Sequence, residues 1–163
     1  MKTITLILTS CLLVLVSQAA SLESSPTDSP KDKPRQFAEV FKKQDTNAMQ
    51  KYFAAEVAFS GEHRFIGRKE PLKAPVALTR KELIESYSAL FEKVGKERWP
   101  KLANTFKVAI ERIKNEGDYG SVGKVGDLVL ILKGSAKDLD EAIMFVFRET
   151  DAGFLIVGHF ADY

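Results

Sequence analysis

The stretch that decides the fold is 142-AIMFVFRETDAGFLIVGHFA-161. Ile143, Phe145 and Phe147 recur at every second position, the period of a strand with one buried face. Thr150-Asp151-Ala152-Gly153 then supplies hairpin-turn chemistry, and an apolar strand resumes at Phe154. Working backward, Lys133-Gly134-Ser135 is another break, and Val122 to Lys133 reads as a strand, continuously apolar from Leu128 to Leu132. Before the turn residues Asn115-Glu116-Gly117-Asp118, Phe106, Val108 and Ile110 alternate with Lys107, Ala109 and Glu111. Strands joined in sequence by turns imply a long antiparallel meander.

Upstream of Trp99-Pro100 the period is close to 3.6. Thr79-Arg80-Lys81-Glu82 has capping-box form. Behind it Leu83, Ile84, Tyr87, Leu90, Phe91 and Val94 make one apolar stripe that Gly95 ends. Pro34 suits a helix start, with Phe37, Val40 and Phe41 at helical spacing. Asp45-Thr46-Asn47 breaks that helix and caps a second, where Ala48, Met49, Tyr52 and Phe53 share a face. Val57-Ala58-Phe59 and Arg64-Phe65-Ile66-Gly67 read as two small strands about a turn, and Glu70 to Leu78, with Pro71 and Pro75, as a loop. The expected class is α+β, with N-terminal helices packed on a curved antiparallel sheet.

The N-terminus carries an address. Lys2 precedes an apolar run from Ile4 to Val16, and Ser17-Gln18-Ala19 offers small residues for cleavage, so residues 1–19 read as an export signal. The run is short of the ~20 apolar residues that a membrane span needs. Leu8-Thr9-Ser10-Cys11 resembles a lipoprotein box, but its apolar segment follows the cysteine instead of preceding it, which argues against a lipid anchor at Cys11. Residues 20–33 are a Ser/Pro-rich leader too polar to offset its ordering entropy. Residues 34–163 form a single domain, secreted or periplasmic.

Cys11 is the sole cysteine, so the mature chain has no thiol catalysis, no disulfide and no cysteine-ligated metal. Its stability rests on its core, for which about 140 residues suffice. With 24 basic and 22 acidic residues the net charge is +2, which gives no electrostatic reason to expect nucleic acid or an anionic membrane. The densest basic stretch, Lys31-Asp32-Lys33-Pro34-Arg35, reads as a solvated tail.

The order of elements, with Lys43-Gln44-Asp45-Thr46-Asn47-Ala48-Met49, Tyr52-Phe53-Ala54-Ala55-Glu56-Val57-Ala58-Phe59 and a strand ending in Gly158-His159-Phe160, resembles the nuclear transport factor two-like superfamily. Ketosteroid isomerases and polyketide cyclases belong to it. The resemblance spans the whole mature domain but consists of element order and apolar positions. It implies a cone-shaped half-barrel around an apolar pocket, and often a homodimer. The isomerase base, tyrosine and second aspartate fall on Gly61, Phe37 and Phe145, so all three roles are vacant; a shift of one residue would offer Glu62 as the base. For the Asp–Arg–Asp cluster of epoxide-hydrolysing relatives the chain offers Arg112, Asp127, Arg148 and Asp162, scattered over later strands. For the histidine chemistry of dehydratase relatives it offers His63, His159, Tyr87 and Asp162.

His159 is the foremost candidate. Strict alternation puts it on a face with Leu155, Val157 and Ala161, opposite Phe154, Ile156, Phe160 and Asp162. It is either a core histidine bonded to a carbonyl or hydroxyl, or a ligand-facing or catalytic group. Glu62-His63-Arg64 reads as a solvated hairpin tip; an acid–base role for His63 requires that it meet His159. Tyr87 and Trp99 offer a hydroxyl and a ring to a ligand, against plain core packing. Two histidines without ligand spacing make no metal site. No cofactor is implied. Gly120, Gly123 and Gly126 lack the strand-before, helix-after context of a phosphate cradle and mark a bulge or close strand approach. No Gly-x-Ser-x-Gly turn is present.

The leading expectation is therefore a domain that binds, without chemistry, a small apolar or amphipathic ligand or a protein partner. Its pocket would be lined by Phe37, Phe41, Tyr52, Phe59, Tyr87, Phe91, Phe145 and Phe147, with His159 as polar contact. A lyase or isomerase using a pocket histidine, and a structural homodimer without ligand, are the alternatives.

Overall fold

The computed structural model describes residues 32–61, 63–70, 72–134 and 142–161; the side chains of His63, Arg64 and Ala161 are not among them. Helix α1 (Asp32–Lys42) and the short α2 (Thr46–Met49) lead into β1 (Phe53–Gly61) through a 3-10 turn at Gln50–Tyr52. A second 3-10 turn (His63–Ile66) precedes β2 (Val76–Thr79), α3 (Arg80–Val94) and α4 (Arg98–Ala103). The meander follows: β3 (Lys107–Arg112), β4 (Leu128–Lys133), β5 (Ala142–Thr150) and β6 (Gly153–Ala161).

The caps read from the sequence are present. Asp45 Oδ1 accepts from the Ala48 amide at 2.9 Å and starts α2. Thr79 Oγ1 accepts from the Glu82 amide at 3.3 Å, while Glu82 Oε2 accepts from the Thr79 amide at 2.8 Å. These bonds to Thr79 hold the Glu82 carboxyl below its usual range. Gly95, at φ +82°, ends α3. Helix α1 opens at Asp32, so the basic stretch read as a tail is helical from there, with Pro34 buried in the first turn.

The six strands form one open sheet in the order β2-β1-β6-β5-β4-β3. The expected antiparallel arrangement holds for every neighbouring pair except β1 and β6, which run parallel, so the sheet is mixed. Periodicity tells which face a residue takes, not the direction of its partner. The last strand lands beside the first across the intervening helices, a long crossover that permits parallel pairing.

Three local expectations are corrected. Arg64 to Gly67 is not a strand: Phe65 and Ile66 are apolar because they pack on the core from the 3-10 turn. The partner of β1 is instead Val76–Thr79, whose first three residues read from the sequence as loop; its position at the sheet edge tolerates the preceding Pro75. The strand expected from Val122 begins only at Leu128, because Ser121-Val122 and Val125-Gly126 belong to turns. Helix α4 was not foreseen. It buries Trp99, whose Nε1 donates to the Lys42 carbonyl at 2.8 Å and so satisfies the end of α1.

The inner sheet face and the helices enclose the main core. Leu128, Leu130 and Leu132 of β4, Phe145 and Phe147 of β5 and Ile156 of β6 meet Phe37 and Phe41 of α1 and Leu83, Tyr87 and Phe91 of α3. On the outer face Val129 and Val146 are covered by Ile113 and the segment that follows it.

Candidate functional site

The decisive irregularity lies in β6. Phe147 pairs with Ile156, but Val146 pairs with Gly158, so Val157 is an extra residue without a partner on β5. The bulge resets the alternation. Ile156 and His159 both face the main core, whereas Val157 and Phe160 pack with the outer cluster. Strict alternation, which grouped His159 with Val157, is thereby overturned. Asp162 lies outside the described residues.

His159 is fully buried and caged by rings. Phe59 stacks on it at 5.1 Å and Phe65 at 5.8 Å, the latter nearly coplanar in orientation at 3°. Phe145 meets it edge-on at 4.8 Å. Its Nε2 shares a hydrogen bond with the Tyr87 hydroxyl. Its Nδ1 makes no hydrogen bond to another described residue. A neutral imidazole has one N–H, so whichever nitrogen carries it, Nδ1 is left unsatisfied as donor or acceptor. Burial drives the pKa from 6.5 down to about 3, and the ring's own main-chain carbonyl opposes this only in part, without meeting Nδ1 in hydrogen-bond geometry. The ring is neutral at every physiological pH.

The expected pocket residues do converge, and they are packed against one another. Phe37 lies 4.8 Å from Phe145, 5.3 Å from Tyr52 and 6.0 Å from Phe147. Phe41 lies 5.3 Å from Tyr87 and 5.7 Å from Phe91. All except Tyr52 are buried. Phe37 and Phe145, the positions of two of the vacant isomerase roles, are ring neighbours. Glu62 and the His63 side chain lie outside the described residues. Phe65 was missed as a site residue because its turn was read as a strand; the only sequence signal was a large ring between a glycine-flanked turn and a basic loop.

The scattered Arg and Asp residues serve the outer face instead. Arg148 Nε donates to Asp127 Oδ1 at 3.1 Å, and its Nη2 donates to Oδ2 at 2.7 Å and to the Val122 carbonyl at 2.8 Å. Asp127 Oδ2 also accepts from the Lys124 amide at 2.9 Å, and Arg112 Nη1 donates to the Gly126 carbonyl at 2.7 Å. Together they clamp the 117–127 loop onto the sheet. Asp127 and His159 are the only buried polar or charged residues among those described, and they lie on opposite sheet faces. No group of three metal-ligating side chains occurs among the described residues, nor any helix long and apolar enough to cross a membrane.

Among the described residues, two depressions bear on the site. One of about 600 Å³ lies along Glu111, Arg112, Asn115 and Tyr119. The other, of about 510 Å³, is bounded by Arg68, Lys69, Lys73 and Val76.

Comparison with solved structures finds similar folds, among them proteins described as NTF2-like and as ketosteroid isomerase-like. An NTF-2 like protein of unknown function from Shewanella oneidensis MR-1 shares 12% identity, with 85% of this chain and 100% of that one covered at a TM-score of 0.47. A ketosteroid isomerase-like protein from Erwinia carotovora atroseptica SCRI1043 shares 14%, covering 82% and 91% at 0.43. A DUF4783 family protein from Bacteroides ovatus ATCC 8483 shares 13%, covering 77% and 89% at 0.49. Identities this low concern the fold alone. No family model matches the chain, and no curated protein matches it in sequence.

Proposed function

We propose that the chain is an exported, non-catalytic binding protein that takes a small apolar or amphipathic molecule at the His159–Tyr87 pair. The observation that carries this reading is a fully buried imidazole with one nitrogen unsatisfied inside a cage of rings. Leaving a buried polar group without a partner costs about 1–3 kcal/mol, which pure core packing would avoid with an apolar residue. A polar atom on a bound molecule would supply the missing bond.

Acid–base catalysis is the weaker reading. A general base works best with a pKa near the operating pH, and burial holds this ring far below it. No carboxylate or cation is buried beside it among the described residues. A structural homodimer is the second reading, favoured by half-buried Ile131, Met144 and Phe160 on the outer sheet face.

Native mass spectrometry of protein purified from its own host tests the binding reading. A small molecule retained by the native chain and lost from His159→Phe supports it; bare-chain mass for both would sink it. The same spectra test export: the processed chain should begin at Ala20, and a chain that keeps Met1 contradicts it.

A further inference from the structure

The residues beside the aromatic cage carry charge of one predominant sign. The depression of about 510 Å³ falls within the ~300–1,000 Å³ of small-molecule sites. Arg68, Lys69 and Lys73 border it against the single acid Glu70, and Leu72 and Val76 give it an apolar floor that packs on the main core. Val76 is paired in register with Phe59, and Phe59 stacks on both Phe65, at 5.6 Å, and His159. One residue pair thus links the basic depression to the buried imidazole.

Phe65 stacks on both Phe59 and His159. It is the half-buried member of the cage, and it stands on a 3-10 turn, not on a sheet strand. Its ring lies parallel to the imidazole, as a planar or flattened apolar guest would.

We propose that the site takes a single-chain amphiphile with an anionic head. The head is held by Arg68, Lys69 and Lys73, and the apolar part enters beside Phe59 in the place that Phe65 fills in this structure. This rests on the binding reading above and adds the charge of the ligand and the element that yields to it. Exposed cations attract an anion through solvent, so the contribution is screened by salt. The apolar part supplies the remainder by burial.

The test is calorimetric titration of the mature protein with dodecanoate and dodecan-1-ol below their aggregation limits. Dodecanoate should bind about tenfold more tightly or better at low ionic strength, with the preference shrinking as salt is added. Lys69→Glu/Lys73→Glu, which leaves Arg68 beside the Glu82 cap, should remove the preference and leave dodecanol affinity unchanged. Phe65→Ala should tighten both. Equal affinities for acid and alcohol, or a charge-reversed variant that keeps the preference, overturn the anionic head and leave the binding reading standing. Failure of both probes to bind either the native chain or Phe65→Ala overturns both. Binding to anionic phospholipid vesicles without binding of monomeric dodecanoate also overturns it, because the cations would then serve a membrane surface.

Discussion

Tyr87 and His159 depend on each other. The hydroxyl is the imidazole's one partner at Nε2, and Tyr87→Phe would leave both ring nitrogens buried without a protein partner. The expected loss is about 1–3 kcal/mol in urea unfolding. Adding His159→Leu to Tyr87→Phe should recover part of it, because the cage is then wholly apolar; a double variant less stable than the single one would contradict this account. The same ring sets an acid limb. Unfolded, it titrates near 6.5; folded, it stays neutral down to about 3. Above pH 6.5 both states are neutral and the ring adds no pH dependence. Below it the unfolded chain binds a proton that the folded chain refuses, so stability falls as pH falls. From pH 7 to 5 the native chain should lose about 2 kcal/mol more than His159→Leu, as integration of that linkage gives. Parallel stability–pH curves for the two chains would show that the imidazole is solvated.

Elements whose signals are local were legible in the sequence. The capping box, the stop at Gly95 and the alternation of Phe145 with Phe147 each sit within a few residues of the structure they specify. What was hidden depends on partners far along the chain. Val76–Thr79 is a strand only because β1 offers it an edge, and the facing of His159 was misread because one unpaired residue, Val157, reverses the alternation. Of the site, the ring set was legible from spacing, whereas Phe65 and the cage it completes were not. Of the three glycines read as a bulge or close approach, Gly123 is one, with a β-carbon there 2.6 Å from Ile113 Cδ1, whereas Gly120 and Gly126 hold positive φ with open space around them. A β-carbon on Gly158 would lie 2.3 Å from Val122 Cγ1, so the 117–127 loop reaches the sheet only because that position is bare. Gly158→Ala should therefore destabilise the protein by about 1–3 kcal/mol in thermal or urea unfolding. Val122→Ala in the same chain should restore much of the loss. A neutral Gly158→Ala would mean that the loop is free to lift away.

At the scale of the whole molecule, the two sheet faces are finished differently. The inner face is sealed by helices. The outer face is covered over Val129 and Val146 by the clamped loop, while Ile131, Met144, Val157 and Phe160 stay half-buried beside it. The β3 edge carries Lys107, Glu111 and Arg112, and charged edges discourage edge-to-edge pairing. Self-association, if it is this protein's use of the outer face, should then be face to face across the row that joins Ile131, Met144 and Phe160. Sedimentation equilibrium of residues 20–163 should show a dimer, and Met144→Lys should shift it to monomer by placing a cation in that apolar row. Its unfolding midpoint, measured at a concentration where the native chain is also monomeric, should change little, because Met144 keeps partial access to solvent. A native chain that is monomeric at every concentration, or a Met144→Lys dimer as tight as the native one, would assign the outer face to the loop alone and leave the ringed imidazole as the feature that function must explain.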